Sequence, residues 1–297
     1  MIGSRVLVFT FALATTLLAA ACASEPEDEG LPALVGAPAE EPGFAAASAD
    51  PGKADWFGTS PETWRRFWYW KYYAEVSAPL EVVPSSPAFT GTRTVLLIPG
   101  TTIGPEFFVP MANRLRRDGF DPVIWAPTDL FTDSLEVGAQ RISAQVQRVL
   151  ASRGISKLHL VAQCDAGVAA RYYAQLLGGN RSIDQLVTFV SAHHGSSAAP
   201  IVGWWTGWPA LADIKPGSPF MNRLNAAPLP AGLRFTSIYS CRDEYMWPQT
   251  TSRVDGAVNV EFCNHPIGHF APFWDRPVYE RILVTLRGQG ASAPTYY

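Results

Sequence analysis

Charge is scarce in this sequence. Lys, Arg, Asp and Glu together make up 16% of the 297 residues, and the formal net charge is −3 at pH 7. A protein that binds nucleic acid needs a basic surface to neutralise phosphates, and this chain has no basic stripe that would form one. We therefore expect no nucleic-acid partner.

Glycine-rich phosphate loops, internal repeats and metal-ligand spacings are also lacking. The pair Gly178-Gly179 ends a predicted helix without the spacing of a dinucleotide-binding loop. His193 and His194 have no Cys or carboxylate at the spacing of a metal site. After the N-terminal region, no window approaches the ~18 uninterrupted apolar residues that cross a bilayer. We expect neither a cofactor nor a metal.

The first residues have the pattern of an export signal. Residues 1–5 supply a short positive segment and residues 6–21 an apolar stretch, with small residues around Cys22. Cleavage before Cys22 would leave a lipidated thiol, because the segment resembles a bacterial lipoprotein box. Cleavage after Ala21 or Ala23 would instead release a secreted protein. We favour the lipoprotein, which would hold the protein on a membrane through Cys22.

Two further segments precede the body of the chain. Residues 22–55 are rich in Glu, Asp, Pro, Ala and Gly, and they cannot bury enough apolar surface to offset the entropy of ordering. We predict a disordered acidic tether there. Residues 56–93 contain a dense aromatic block, in which Ser60 as N-cap and Pro61 at the first position predict a helix. Aromatic side chains on every face fit either packing onto the domain or an interfacial or substrate-lid role.

From residue 94 to residue 297, predicted strands and helices alternate in one catalytic-sized domain. Apolar runs predict strands at 95–98, 123–125, 158–162, 186–190, 234–239 and 258–262. Amphipathic segments predict helices at 106–117, 135–149 and 165–177, and a long Trp/Gly/Pro loop is expected from 196 to 219. This alternation predicts an α/β fold, with a mostly parallel central sheet and helices on both faces.

A cysteine stands at the corner between a predicted strand and a predicted helix. With serine in place of Cys164, residues 158–167 (LHLVAQCDAG) would match a nucleophile elbow. Functional groups gather beyond the carboxyl ends of parallel strands, where Asp243 and His269 also fall. Nucleophile, acid and base in this chain order indicate a catalytic triad. His265 is an alternative base, four residues earlier.

These motifs carry a resemblance to a known family. From residue 95 to about residue 286, the chain resembles the secreted class 2 lipases, which include bacterial lipase A and fungal lipase B and have the α/β-hydrolase fold. The matching segments are LIPGTT at 97–102, the elbow at Cys164, FTSIYSCRDE at 235–244, VDGAVNV at 254–260 and Gly268-His269. The resemblance implies Asp243 as the acid and His269 as the base. The family nucleophile is serine, so Cys164 is the main departure.

The resemblance also implies roles for residues around the elbow. Backbone amides of Thr101 and Asp165 would form the oxyanion hole. Asp165 would also place a carboxylate beside the thiol, which raises a thiol pKa. Candidate pocket residues are Thr102, His193, His194, Trp204 and Trp205. For the histidines a structural role is an equal alternative, and for the tryptophans either a lid or core packing.

The last two cysteines predict a disulfide. Cys241 and Cys263 follow two strands that the family places side by side, and disulfides form in exported proteins. This pairing leaves Cys164 as a free thiol.

Three functions remain open from the sequence. The first is an exported esterase or lipase-like hydrolase that acts on small-molecule or lipid esters through a Cys-His-Asp triad and an acyl-enzyme. The second is a thiol-dependent acyltransferase or thioesterase. The third is an inactive homologue that only binds a lipid or an ester. The oligomeric state stays open.

Overall fold

Six strands form a sheet in which every neighbouring pair runs parallel. The computed structural model describes residues 60–72, 91–265 and 267–297. Strands β1 to β6 are Thr94–Ile98, Asp121–Ile124, Leu158–Gln163, Ile183–Phe189, Phe235–Ser240 and Val258–Phe262. Their order across the sheet is β2-β1-β3-β4-β5-β6. Parallel neighbours require crossover connections, so most of the other described residues lie on the two faces of the sheet.

Helices cover both faces. In the described ranges, α1 to α8 are Pro61–Lys71, Val109–Arg117, Leu135–Arg153, Cys164–Leu176, Ala199–Thr206, Pro209–Asp213, Pro219–Ala226 and Arg276–Leu286. Short 3-10 turns occur at Pro105–Phe108, Gly179–Arg181, Gln249–Ser252 and Ala271–Phe273. Alternate strand residues point to opposite faces, so Leu96 packs with α3 and α4 while Leu97 packs with α2 and α8. The predicted fold class is confirmed.

Residues 196–219 differ from the sequence prediction. The expected continuous loop is wrong, because this segment contains α5 and α6 and ends where α7 begins. Prolines that suggested a loop lie in the first turn of each of these helices, where a missing N–H costs little. Gly207 then ends α5 with a left-handed φ of +69°.

A disulfide joins the ends of β5 and β6. Cys241 and Cys263 directly follow these strands, their Cα atoms lie 4.8 Å apart, and the predicted bridge is confirmed. Ser240 and Phe262 are register partners one residue earlier, which brings the two cysteines to the same edge of the sheet. The bridge connects the two loops that carry Asp243 and His269.

Several predicted segments lie outside the described residues. These are the signal peptide at 1–21, Cys22, the tether to residue 55, and parts of the aromatic extension at 56–59 and 73–90. Of the helices that the structure describes, none combines the length and the apolar character needed to span a bilayer.

Removal of the disulfide should destabilise the domain. The bridge spans a sequence separation of 22 residues. Closing a loop of that size contributes roughly 3 kcal/mol to the free energy of unfolding. We expect the Cys241→Ser, Cys263→Ser double variant to lose about this amount in urea unfolding without reductant. Dithiothreitol should lower the stability of the wild type to that of the variant and leave the variant unchanged. Equal stability of the variant and the oxidised wild type would contradict the expectation.

Candidate active site

Cys164 occupies a tight turn between β3 and α4. Its φ is +53°, in the left-handed region that residues with a Cβ seldom adopt. Gly100, after β1, approaches it so closely that an added Cβ would lie 2.6 Å from the Cβ of Cys164. The β1 loop therefore needs glycine at this position to reach the elbow. The turn presents Cys164 at the carboxyl edge of the sheet.

Asp243 and His269 form a buried acid–base pair. The Nδ1 of His269 lies 2.8 Å from Oδ2 of Asp243 and 3.1 Å from Oδ1. The side chain of Asp243 is 1% exposed and that of His269 is 4% exposed. Backbone amides of Tyr245 and Met246 donate to Oδ1 of Asp243 at 2.8 and 3.0 Å. These bonds fix the carboxylate, which in turn directs the Nδ1 proton and leaves Nε2 as the basic nitrogen.

The second histidine of this region has a different partner. His265 contacts Asp275 at 2.7 Å through Nε2, and that aspartate is the N-cap of α8. The structure therefore pairs His269, and not His265, with Asp243.

Carboxylates around His269 favour its protonated form. Burial opposes protonation, but the charge and hydrogen bond of Asp243 outweigh it, so the pKa of His269 is raised. Glu244 adds to this effect, and its Oε2 also accepts the backbone N–H of His269 at 3.0 Å. The site therefore has a base of increased proton affinity.

The basic nitrogen of His269 contacts Gln163 instead of the thiol. Gln163 is fully buried, its Oε1 accepts the backbone N–H of Gly100 at 2.9 Å, and its Nε2 lies 3.0 Å from Nε2 of His269. With the Nδ1 proton directed at Asp243, the Gln163 amide donates to the imidazole. No hydrogen bond joins Cys164 to His269 among the described residues. Sequence reasoning missed Gln163, although a polar residue ending an apolar strand just before the elbow was the available signal.

The thiol of Cys164 faces a carboxylate. Its Sγ donates to Oδ1 of Asp165 at 3.7 Å, and Oδ2 of Asp165 accepts the hydroxyl of Thr101 at 2.7 Å. Burial, followed by the charges of Asp165 and Asp243, raises the pKa of the Cys164 thiol well above its usual range. Burial also raises the pKa of Asp165, against the hydrogen bond from Thr101. The resting thiol is therefore protonated at neutral pH.

Two backbone amides lie where an oxyanion hole would form. The N–H of Asp165 is directed at the sulfur of Cys164 from the first turn of α4. The neighbouring amide of Thr102 donates to the carbonyl of Leu130 at 2.9 Å, whereas the amide of Thr101 has no acceptor among the described residues. The hydroxyl of Thr101 is already bonded to Asp165. The N–H of Asp165 contacts the sulfur, and the N–H of Thr101 is free to donate, as an oxyanion hole formed by these two residues would require.

Helix α1 packs over the same edge of the sheet. Trp68 is 7% exposed, and its Nε1 donates to Oγ1 of Thr102 at 3.2 Å. Its ring centroid lies 4.8 Å from that of Phe270 and 6.0 Å from that of Tyr245. Tyr245 in turn lies 5.0 Å from the ring of His269. Helix α1 therefore contacts the loop of Thr102 and, through Tyr245, the surroundings of His269.

The remaining predicted pocket residues occupy other places. Trp204 is 77% exposed on α5, and Trp205 beside it is half-buried. His193 is buried against Phe235, with Nε2 2.9 Å from Oγ1 of Thr188. His194 is exposed and lines a separate cavity. Of the predicted pocket residues, Thr102 contacts Trp68, whose ring packs against Tyr245 beside His269. Across the described ranges, no three His, Cys, Asp or Glu side chains are grouped as metal ligands.

The reactivity of Cys164 should follow the raised thiol pKa. Because the thiolate is the reacting form, iodoacetamide should modify Cys164 slowly at neutral pH and about tenfold faster per added pH unit, up to the thiol pKa. Mass spectrometry of the peptide containing Cys164 measures the rate. Asp165→Asn should shift the profile to lower pH, because it removes the nearest negative charge. A fast, pH-independent rate near neutrality would instead indicate a thiolate–imidazolium pair and would contradict the expectation.

Comparison with known proteins places the fold. No protein-family model matches the chain. Aspergillus fumigatus lipase B is similar, with a TM-score of 0.60 and 15% identity over 71% of this chain and 59% of that one. Bacillus licheniformis lipase BlEst2 in its propeptide form has a TM-score of 0.57 and 14% identity, over 68% of this chain and 52% of that one. The chain thus spans about half of that propeptide form.

A third solved structure agrees. Esterase B from Lactobacillus rhamnosis has a TM-score of 0.50 and 15% identity, over 70% of this chain and 80% of that one. These lipases and this esterase share the parallel sheet and its helical layers with the chain described above. The chain therefore has the α/β-hydrolase fold.

Proposed function

We propose that this protein hydrolyses carboxylic esters, with Cys164 as nucleophile, His269 as base and Asp243 as the acid that orients it. The observation that carries the proposal is the buried Asp243–His269 pair at 2.8 Å, on the sheet edge where Cys164 occupies a left-handed elbow. The similar solved structures support esters as the substrate class, since they are named lipases and an esterase.

The proposed reaction begins with release of His269 from Gln163. The Nε2 of His269 takes the thiol proton, and the sulfur attacks the ester carbonyl carbon to form a C–S bond. The carbonyl oxygen becomes an oxyanion, which the amides of Thr101 and Asp165 stabilise. Collapse breaks the ester C–O bond, and the imidazolium gives its proton to the departing alcohol. An S-acyl enzyme remains.

Water completes the cycle. His269 takes a proton from a water molecule while the water oxygen attacks the thioester carbonyl carbon. The C–S bond then breaks, the carboxylic acid leaves, and Cys164 recovers its proton from the imidazolium. Attack by another alcohol or thiol in place of water would transfer the acyl group, and a thioester substrate would form the same intermediate. Acyltransferase or thioesterase activity is therefore the nearest alternative.

Two contacts favour a second candidate function, a homologue that binds esters without hydrolysing them. The Nε2 of His269 is hydrogen-bonded to the Gln163 amide at 3.0 Å. The thiol of Cys164 donates to Asp165 and not to His269. A catalytic site in this arrangement needs the Gln163 amide to move when substrate enters. A binding protein needs no such movement.

Turnover of a short-chain nitrophenyl ester and of a thioester separates these functions. We expect Cys164→Ala and His269→Ala to lower kcat/KM by at least about a thousandfold, because each removes a group that reacts. His265→Ala is the matched control and should retain activity, since His265 pairs with Asp275. The Cys164→Ser variant tests whether the site geometry also supports a serine nucleophile.

Trapping experiments then distinguish the outcomes. Hydrolysis that is lost in Cys164→Ala but not in His265→Ala supports the hydrolase. Acylation of Cys164 that turns over only with an added alcohol or thiol supports transfer. Substrate binding without acylation of Cys164 supports the binding homologue and contradicts both enzyme proposals.

We also propose that the protein is exported and held on a membrane by lipid on Cys22. The proposal rests on the signal pattern at 1–21 and the lipoprotein box around Cys22. Mass spectrometry of the mature protein should find an N-terminus at Cys22 that carries acyl chains, and Cys22→Ser should lose them. An unlipidated N-terminus at Ser24 would contradict the anchor and favour the secreted form.

A further inference from the structure

Arg171 is a buried cation that has only neutral hydrogen-bond partners. It lies on α4 and is 4% exposed. Its Nε donates to Oε1 of Gln175 at 3.0 Å, and its Nη1 donates to the carbonyl of His193 at 3.2 Å and to Oδ1 of Asn225 at 2.9 Å. Among the described residues, no carboxylate forms an ion pair with it. Buried charges are normally paired, because removing an ion from water costs several kcal/mol.

The pKa of the Arg171 guanidinium also reflects the lack of a paired carboxylate. Burial lowers the pKa of Arg171 to about 10, and the charge of Asp255 only partly opposes this effect. Arg171 still carries its full charge at neutral pH. The local structure therefore contains a fixed positive charge whose compensation is incomplete.

A cavity opens beside this charge. It has a volume of about 230 Å³, and its walls include Arg171, His194, Asn225, Leu229 and Asp255. The Nε and Nη1 of Arg171 are used in hydrogen bonds, whereas Nη2 has no partner among the described residues, and the Arg171 side chain forms part of the cavity wall. The volume is below the ~300 Å³ at which pockets for drug-sized ligands begin, and therefore suits a small molecule.

The charges of the cavity walls select the ligand. Desolvation, followed by the charge of Arg171, lowers the pKa of His194, so this imidazole is neutral at pH 7. Arg171 is then the one cation among the residues that line the cavity, and the exposed Asp255 is the one anion. Arg171 is the one group of the wall that can donate charge-assisted hydrogen bonds, so the ligand that it would take is an anion. The N–H groups on Nη2 of Arg171 remain free to donate to a carboxylate oxygen.

We propose that this cavity is a binding site for a small monocarboxylate, whose oxygens accept hydrogen bonds from Nη2 of Arg171. The site is distinct from the triad. Arg171 and Cys164 are on the same helix, about 10 Å apart along its axis at 1.5 Å per residue. The proposal does not depend on any reaction at Cys164.

Binding of propionate to the full-length protein tests the proposal, with propionamide as the neutral ligand of the same shape. Ligand-observed NMR titration measures both affinities, which are expected in the millimolar range for so small a ligand. We expect propionate to bind at least tenfold more tightly than propionamide. Arg171→Met should lower the affinity for propionate to that for propionamide. Asp255→Asn should raise the affinity for propionate a few-fold, because it removes a negative charge from the cavity wall near the bound anion.

A second variant covers the case in which Arg171→Met does not fold. Ala226 lines the cavity at the end of α7 and is exposed, so Ala226→Trp should fill the mouth and abolish binding while Arg171 stays in place. Asn222→Trp, on the same helix but outside the cavity, is the matched control and should bind like the wild type. Equal binding of propionate and propionamide, or propionate binding that survives Ala226→Trp, would overturn the proposal.

Discussion

The side chain of Gln163 holds the resting site together. It is fully buried, so both ends of its amide need partners, and it takes them from two different loops. Its oxygen accepts the N–H of Gly100, and its nitrogen donates to His269. Moving the amide away from His269 would leave a buried donor unsatisfied, at a cost of about 1–3 kcal/mol. Under the proposed mechanism, bound substrate must supply this free energy before the imidazole can accept the thiol proton.

Asp243 and Asp165 have opposite consequences for the proposed proton transfer from Cys164 to His269. Asp243 and Asp165 raise the pKa of His269, which makes the imidazole a better proton acceptor. They also raise the pKa of Cys164, which makes the thiol a poorer donor. Transfer of the proton depends on the difference between these two pKa values, so the two effects partly cancel. The resting thiol of Cys164 is protonated, in contrast to the thiolate of many cysteine nucleophiles.

The sequence contained enough to predict the sheet and the order of the triad residues. Apolar runs ending at Cys164 and before Asp243 mark strand ends, and parallel strands bring such ends to one edge. Proline was the misleading signal in residues 196–219, because the same residue marks both loops and first turns of helices. Gln163 was visible as a polar residue at the end of an apolar strand, but its partners, like those of Arg171, are distant in sequence and could not be predicted. Arg171, near the middle of a helix, matches the pattern of an ordinary solvated side chain.

Helix α1 shows why local pattern alone could not place the aromatic extension. Its aromatic side chains lie on every face, yet Trp68 is the residue that becomes buried. The indole of Trp68 donates to the hydroxyl of Thr102, a residue whose φ of +61° is in the left-handed region. That backbone conformation is held on one side by Leu130 and on the other by Trp68. Because Thr101 precedes Thr102 in the same loop, α1 supports the amide that the proposed oxyanion would need. Helix α1 is therefore a structural part of the candidate site, with the ring of Trp68 packed against Tyr245 and Phe270.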